Sequence, residues 1–318
     1  MPVHAFIFPG QGSQSVGMGR DLAAAFAAAR EVFQEVDETL KQRLSKLMFE
    51  GPAEELTLTG NTQPALMAVS LAALRVLEHE GGVTLKQKAA LVAGHSLGEY
   101  SALCAAGGLP LGETARLLRL RGETMQKAVP PGEGAMAALI GVELAQASEI
   151  CEAAAEGPEG REVLEPANDN GGGQVVVSGH RAAVERAVEL AKAQGVRRAM
   201  LLPVSAPFHC ALMAPAAEVM AEALEQAGLV APVVPLIANV SAAKATDPAQ
   251  IRGLLVRQVT ATVRWRESVQ EMAGLGVDSF VELGAGKVLS GLVRRIASDA
   301  KAIAAGTPAE IEALLKAL

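Results

Sequence analysis

The run Gly94-His95-Ser96-Leu97-Gly98 follows the apolar residues 89–93 and precedes an apolar segment that can begin a helix. The pattern G-x-S-x-G between a strand and a helix is typical of a nucleophile elbow, a sharp turn that exposes the serine hydroxyl. Small residues must flank the serine because the turn leaves no room for larger side chains. The pattern therefore indicates acyl transfer through Ser96, although glycine- and serine-rich turns also end strands that carry no chemistry.

Strand and helix patterns alternate along the chain and indicate an α/β fold. Half of the 318 residues are hydrophobic but only 3% are aromatic, so the core must consist mainly of aliphatic side chains. Between residues 134 and 204 the pattern changes to the order βαββαβ, which is typical of a ferredoxin-like unit. We therefore expect a parallel-sheet core domain formed by residues 1–132 and 205–318, with an inserted ferredoxin-like βαββαβ subdomain at 133–204.

Two long helices are predicted before the elbow. After a strand from Val3 to Phe8, alanine-rich sequence favours one helix from about Leu22 to Met48. A second helix is expected from Pro64 to His79, because proline suits the first position of a helix.

The charge balance and the cysteines exclude several classes of function. A formal net charge of −7 disfavours nucleic acid or an anionic membrane as the partner, because both attract a positive field. The three cysteines have no metal-binding spacing, so neither a metal site nor a disulfide framework is expected. Without a signal peptide or a membrane-spanning stretch in the sequence, we expect a soluble protein of the reducing cytoplasm.

A serine hydroxyl needs a base, and His209 is the best-placed of the five histidines. It lies in a loop that leaves a predicted strand, where Pro207 restricts the backbone. Imidazole has an ordinary pKa of about 6.5 and acts as base and then as acid near neutrality. The alternative is a loop histidine without function. The other histidines fit structural or solvated positions, or point away from the adjacent hydroxyl: His4, His79, His180 and His95.

No acidic third member of a catalytic triad is evident. Between Ser96 and His209 the only aspartate is Asp169, and it lies inside the predicted insert. A dyad, in which a backbone carbonyl orients the imidazole, is therefore the prediction.

Arg121 lies in the middle of an apolar stripe when residues 111–129 are wound as a helix. A buried cation needs an anion, which is either a glutamate within the fold or a carboxylate on the acyl substrate. Periodicity leaves both partners open. The stripe consists of Leu117, Leu118, Thr124, Met125 and Ala128, and the opposite side, expected to be solvated, carries Arg116, Arg119, Glu123 and Lys127.

Two glycine-rich loops fail the phosphate-binding fingerprints. Ser15 and Leu289 stand where the third glycine of G-x-G-x-x-G belongs, and no P-loop lysine pattern follows. The first loop, residues 9–14, is better explained as backbone close to the reacting atom, where an amide joins that of Leu97 in an oxyanion hole.

Several motifs together give the chain a resemblance to malonyl-CoA:acyl carrier protein transacylases over nearly its whole length. This resemblance implies a hydrolase-like α/β domain with a ferredoxin-like insert. One departure is Gly172, where relatives often have proline. The motifs are FPGQGSQ (8–14), TQPAL (62–66), GHSLGEY (94–100), MQ (125–126), GAMAA (134–138), PFHC (207–210) and GAGKVL (284–289).

The resemblance also implies roles for single residues. Ser96 would take the malonyl group from the substrate malonyl-CoA, with His209 as base and Arg121 binding the free carboxylate. The phosphopantetheine thiol of acyl carrier protein would then collect the group, and no cofactor is implied. The remaining roles are oxyanion-hole amides at Gln11 and Leu97, the Gln258 carbonyl orienting His209, and substrate contacts at Gln63 and Phe208.

Other functions remain open at this stage. A trans-acting acyltransferase of a polyketide synthase would share these motifs, and the elbow alone also fits a serine esterase. A catalytically idle scaffold that docks carrier proteins is the alternative outside enzymes. An acidic carrier would need a basic surface, for which the candidates are Lys287, Arg294, Arg295, Arg197 and Arg198.

Overall fold

The computed structural model describes residues 3–158, 160–204 and 206–318. The strands in this part of the chain are β1 (His4–Phe8), β2 (Ala89–Gly94), β3 (Gly134–Ile140), β4 (Glu156–Gly157), β5 (Gly160–Arg161), β6 (Leu164–Asp169), β7 (Gln174–His180), β8 (Arg198–Leu201), β9 (Leu236–Ala238), β10 (Ala243–Ala245), β11 (Ser279–Leu283) and β12 (Lys301–Ala305).

None of the helices in the described residues is long and apolar enough to cross a bilayer. They are α1 (Arg20–Ala25), α2 (Ala27–Leu40), α3 (Leu44–Glu50), α4 (Ala53–Thr57), α5 (Thr59–Gly81), α6 (Leu85–Lys88), α7 (Gly98–Ala105), α8 (Leu111–Lys127), α9 (Leu144–Ala155), α10 (Arg181–Ala193), α11 (Ala214–Gln226), α12 (Pro248–Gln258), α13 (Trp265–Gly274), α14 (Val288–Ile296) and α15 (Pro308–Leu315), with a 3-10 turn at Ala211–Met213.

The larger sheet has six strands in the order β10-β9-β2-β1-β11-β12. Neighbouring strands are parallel except for β9 and β10. Every residue of β1 is buried, as expected for a central strand covered by helices on both faces. The carboxyl ends of β1, β2 and β9 therefore meet at one edge of the sheet, where ligands bind in open α/β folds.

The smaller sheet has the order β6-β7-β3-β8, and all its neighbours are antiparallel. With α9 and α10 on one face it has a separate apolar core that includes Leu139, Ile150, Val177 and Val184. The chain order is βαββαβ, interrupted by the short β4-β5 hairpin. The predicted α/β fold class is confirmed. The boundaries 1–132, 133–204 and 205–318 stay a proposal, and β3, β6, β7 and β8 all lie within 133–204.

The prediction of one helix from Leu22 to Met48 is wrong, because this segment contains α1, α2 and α3. Phe26 adopts an extended backbone (φ −126°, ψ 132°), and Lys41 adopts a left-handed one (φ 49°). Leu22 and Met48 are buried in one core on either side of both breaks. The apolar pattern therefore continues across them, and periodicity does not reveal single residues that leave helical geometry.

The predicted start of the second helix at Pro64 is also wrong, because α5 begins at Thr59. Proline removes one intrahelical hydrogen bond, so other contacts must hold the first turns. The Thr62 hydroxyl donates to the Leu56 carbonyl at 2.6 Å. Gly122 of α8 lets the two helices approach closely, since an added Cβ there would lie 2.5 Å from the Thr59 carbonyl oxygen. Contacts from outside the helix thus stabilise the helical residues that precede the proline.

Candidate active site

The nucleophile elbow connects the end of β2 to the start of α7, as the sequence predicts. Ser96 has a left-handed backbone (φ 53°), a strained conformation for a residue with a side chain. A Cβ added to Gly94 would lie 1.9 Å from the Gly98 carbonyl carbon, and one on Gly98 would lie 2.2 Å from the Phe8 carbonyl oxygen. The two glycines are therefore required because backbone occupies the space of a side chain on both sides of the serine.

Ser96 and His209 lie within hydrogen-bonding distance. Ser96 Oγ is 2.7 Å from His209 Nε2, and His209 Nδ1 is 2.8 Å from the main-chain oxygen of Gln258. Because a carbonyl only accepts, the ring proton lies on Nδ1 and leaves Nε2 free to accept the serine proton. Asp169 instead forms an ion pair with Arg266 at 2.8 Å. The arrangement is thus a dyad oriented by a carbonyl.

We expect His209 to stay neutral far below its ordinary titration range. Burial, reinforced by the nearby charge of Arg121, lowers the pKa of His209 to about 3, although the bond to Gln258 opposes the shift. In an NMR titration of labelled histidine rings, its signal should stay constant from about pH 8 to about pH 5. The signal is assigned by its loss in His209→Gln. In Arg121→Ala the midpoint should rise, whereas a midpoint near 6.5 in the native protein would contradict this prediction.

Arg121 is 1% exposed and points its guanidinium into the site. Nη1 donates to Gln63 Oε1 at 2.9 Å, and Nη2 donates to Gln258 Oε1 at 2.8 Å and to Ser96 Oγ at 3.1 Å. Nε has no hydrogen-bond partner in the described part of the chain. The guanidinium also lies over the Tyr100 ring, 5.7 Å from its centroid. Both Nη groups are therefore bound by neutral oxygens next to the nucleophile.

Arg121 has no direct counter-ion among the described residues. None of their carboxylates forms an ion pair with Arg121 within 4.0 Å. Glu99 is the carboxyl connected to Arg121, and the connection passes through the Gln258 side chain. Burial lowers the pKa of Arg121, while Tyr100 and Glu99 oppose that shift. A substrate carboxylate would therefore meet a buried cation without a direct anionic partner.

The two amides expected in the oxyanion hole lie beside the serine. Gln11 and Leu97 line the same cavity as Ser96, and Leu97 immediately precedes α7. Within the described ranges, neither backbone amide donates to a protein acceptor. Both are thus free to donate to a charge that develops on a substrate oxygen.

The cavity around Ser96 has a volume of about 540 Å³ and opens between the two sheets. Met136 and Val176 of the smaller sheet form one wall, and Leu289 and Leu292 of α14 contribute another. The structure brings most of the residues expected in the site to this cavity, while the Gln258 side chain is buried behind it. Those lining it are Gln11, Gln63, Ser96, Leu97, Arg121, Phe208 and His209.

Sequence reasoning missed Asn239, which holds the elbow in place. Its side chain donates to the Gly94 carbonyl at 2.7 Å and accepts from the Ser96 amide at 2.8 Å. Asn239 follows β9, the parallel neighbour of β2. A polar residue at the carboxyl end of a buried strand was the available signal, but the register between these strands cannot be read from the chain.

Arg119 is not a simply solvated residue, contrary to the prediction for its side of α8. Its side chain is 21% exposed, Nη1 donates to Asn61 Oδ1 at 2.8 Å, and Nη2 donates to Gln42 Oε1. Both hydrogen-bond partners come from other segments, so the pattern of one helix cannot indicate them. His95, in contrast, behaves as expected, because Nε2 bonds Asn170 Oδ1 at 2.9 Å and the ring is held away from the hydroxyl.

The basic residues suggested for docking have different surroundings. Arg295 lines the cavity, while the exposed Lys287 forms an ion pair with Glu310 at 2.8 Å. Arg294 donates to the Ala302 carbonyl. Arg197 and Arg198 are exposed at the edge of the smaller sheet. Their role in docking stays a prediction.

A strained serine within 2.7 Å of a buried histidine nitrogen, at the carboxyl edge of a parallel sheet, places the protein among serine acyl-transfer enzymes with a hydrolase-like fold. Residues 5–309 match the family described as acyl transferase domain, and the chain belongs to this family.

Individual relatives are similar over their whole length. The malonyl CoA-acyl carrier protein transacylase of Escherichia coli strain K12 is 47% identical over 316 residues, which cover 99% of this chain and 100% of the relative. The structure of an acyl-carrier-protein-S-malonyltransferase from Bartonella henselae is 57% identical, with a TM-score of 0.96 over 99% of each chain. A malonyl-transacylase in complex with its type II polyketide acyl-carrier protein is 42% identical, with a TM-score of 0.94 over 99% of this chain and 100% of that one.

Proposed function

We propose that this enzyme transfers the malonyl group from malonyl-CoA to the phosphopantetheine thiol of acyl carrier protein, which supplies malonyl units for fatty acid synthesis. The observation that carries the proposal is the Arg121 guanidinium, 1% exposed and 3.1 Å from the nucleophilic oxygen. An acyl group with a free carboxylate one methylene from its thioester carbonyl suits this spacing. The activities of the relatives named above support the same substrate.

The first half-reaction makes a malonyl-serine ester. Ser96 Oγ attacks the thioester carbonyl carbon while His209 Nε2 takes the hydroxyl proton. The Gln11 and Leu97 amides stabilise the negative charge on the carbonyl oxygen, a contribution of about 3 kcal/mol for one such donor. The carbon–sulfur bond then breaks, and coenzyme A leaves as the thiol with the proton from His209. The Gln258 carbonyl keeps the imidazole in the tautomer that this exchange needs.

The second half-reaction reverses these steps with a different thiol. His209 takes the proton of the carrier-protein phosphopantetheine, and its sulfur attacks the ester carbonyl of acylated Ser96. The ester bond breaks, and the serine oxygen recovers the proton. Every atom and electron pair is conserved, so this proposal requires no cofactor and no metal. Among the described residues, no cluster of histidine, cysteine and acidic side chains is suited to a metal ion.

Selection among acyl groups would come from both ends of the cavity. Arg121 and Gln63 bind the carboxylate end, because a substrate without that charge leaves the buried guanidinium unpaired. Phe208 lines the cavity one residue before His209, and the family resemblance implies that it would limit the room for a substituent on the middle carbon.

We place the protein in the cytoplasm. Cys104, Cys151 and Cys210 are all free thiols, as expected in a reducing compartment. Coenzyme A thioesters and carrier proteins would meet the enzyme there.

Intact-protein mass spectrometry tests the proposal. Mixing with malonyl-CoA is expected to add one malonyl group to the native protein, located on Ser96 by peptide mapping, and none to Ser96→Ala. Adding carrier protein that bears phosphopantetheine should remove the group and load it on the carrier. Failure of the malonyl adduct would overturn the proposal, and rapid hydrolysis of simple esters without it would favour a serine esterase.

Carrier choice separates the fatty acid role from the polyketide alternative. One relative named above is bound to a type II polyketide carrier protein, so a carrier of that type is the one to compare. We expect faster discharge of malonyl-Ser96 by a fatty acid carrier than by a polyketide carrier, each tested at the same concentration. The opposite order would assign the enzyme to a polyketide synthase.

A further inference from the structure

Glu99 is a fully buried glutamate whose contacts lead towards the reacting groups. It lies in the first turn of α7, has 0% exposure and is not among the residues assigned to the reaction above. Its Oε2 accepts from the Asn239 amide at 3.1 Å and from Gln258 Nε2 at 2.7 Å. Its Oε1 has no hydrogen-bond partner in the described part of the chain. A carboxylate without solvent is unfavourable unless its contacts compensate, so its position requires an explanation.

The side-chain amide of Gln258 has a defined orientation. Its Nε2 faces three acceptors: Glu99 Oε2 at 2.7 Å, the Ser96 carbonyl at 3.0 Å and Asn239 Oδ1 at 3.2 Å. Its Oε1 therefore faces Arg121 Nη2 at 2.8 Å. Glu99 provides the shortest of the three acceptor contacts, and a charged acceptor forms the strongest hydrogen bonds.

The position of Arg121 Nη2 depends on this orientation. If the Gln258 amide rotated by half a turn, its NH₂ group would face the guanidinium, and two donors would repel each other. The same Nη2 donates to Ser96 Oγ. Its displacement would therefore change the distance between the nucleophile and the group that binds the substrate carboxylate.

We propose that Glu99 is a positioning residue that acts through Gln258 to hold the Arg121 guanidinium where the carboxylate end of the acyl group binds. The inference rests on the proposed function, since it concerns how that site selects a dicarboxylic acyl group. Burial raises the pKa of Glu99 to about 7, while the bonds from Asn239 and Gln258 and the charge of Arg121 oppose the shift. Above this pKa the carboxylate form prevails, and it offers Gln258 Nε2 a charged acceptor.

The test compares single-turnover acylation of Ser96 by malonyl-CoA and by acetyl-CoA in the native protein and in Glu99→Gln. At about pH 8, above the pKa of Glu99, we expect the malonyl rate to fall by about fivefold to tenfold, because a neutral amide oxygen replaces a charged acceptor and forms a hydrogen bond about half as strong. The acetyl rate should change by less than about threefold, because acetyl does not use Arg121. Equal losses for both acyl groups, or an unchanged ratio, would overturn the inference.

Two further variants separate positioning from stability. Glu282→Gln is the matched control, since Glu282 is also 0% exposed and accepts two backbone amides, at 3.0 and 2.7 Å. It should lower the Tm without changing the malonyl-to-acetyl ratio. Gln258→Ala keeps the carbonyl that orients His209 and removes the side chain through which Glu99 would act. It should therefore lower the malonyl-to-acetyl ratio too, and this result can be measured even if Glu99→Gln fails to fold. Adding Glu99→Gln to Gln258→Ala should then change the ratio little, whereas additive effects would contradict an action through Gln258.

Acylation of the native protein distinguishes a failure of the proposed role of Glu99 from a failure of the proposed function. If native Ser96 accepts malonyl faster than acetyl and Glu99→Gln keeps that preference, only the role of Glu99 is wrong. If native Ser96 accepts no malonyl group, the proposed function is wrong, and the role of Glu99 fails with it.

Discussion

Arg121→Ala is expected to lower kcat/KM for malonyl-CoA by about 1,000-fold to 10,000-fold and to change acetyl-CoA by less than about tenfold. In the native protein the malonyl carboxylate would bind a guanidinium that is 1% exposed and is otherwise bonded to neutral oxygens. The variant would leave that carboxylate buried without a counter-charge, which is strongly unfavourable. Steady-state kinetics with both thioesters and one carrier protein measure the effect.

Arg121→Lys is the matched control for this prediction. It keeps a cation but loses the planar fork that bonds Gln63 and Gln258 at the same time. We expect part of the malonyl preference to return, with acetyl transfer unchanged. Equal losses of malonyl and acetyl transfer in Arg121→Ala, at an unchanged Tm, would refute the role of Arg121 in selection.

Gly94→Ala is expected to lower the free energy of unfolding by about 4 kcal/mol or more and to abolish acylation of Ser96. The new Cβ would lie 1.9 Å from the carbonyl carbon of Gly98, where only backbone can yield. Relief of this overlap would move α7 away from β2 and break the bonds from Asn239 to the turn. Urea unfolding followed by the fluorescence of Trp265, the single tryptophan and fully buried, measures the change.

Gly253→Ala controls for the replacement of a glycine by alanine. Gly253 lies in α12 with nothing within 4 Å of an added Cβ. This change should leave acylation intact and raise stability by up to about 1 kcal/mol, because alanine favours helices over glycine. A Gly94→Ala protein as stable and as active as Gly253→Ala would show that the elbow tolerates a side chain.

The parts of the site that follow from local sequence could be predicted. The elbow is a five-residue motif, and its strained serine follows from the glycines on both sides. His209 was identified because the other histidines had simpler explanations, and Arg121 because one charged residue interrupted the apolar stripe of a helix. The Gln258 carbonyl came from family resemblance alone, since no residue pattern marks a backbone atom as a partner.

The parts that depend on contacts between distant segments could not be predicted. Asn239 and Glu99 are 140 residues apart and meet because β9 lies beside β2. The helical breaks at Phe26 and Lys41 interrupt no apolar pattern. The residues of α5 that precede Pro64 pack against α8, a contact that the sequence of α5 does not show. Contacts of this kind come from another element, and the sequence of the first element does not reveal them.

The smaller sheet packs against the main body close to His209. Gly134 opens β3, and an added Cβ there would lie 2.4 Å from the ring of Pro207, two residues before His209. The smaller sheet is also bonded to the main body along β6, where Asn168 forms a bridge with Val263 and Asp169 pairs with Arg266. A side chain at position 134 would push Pro207 away and displace His209 from Ser96, so the contact between the two sheets supports the short distance between these two residues.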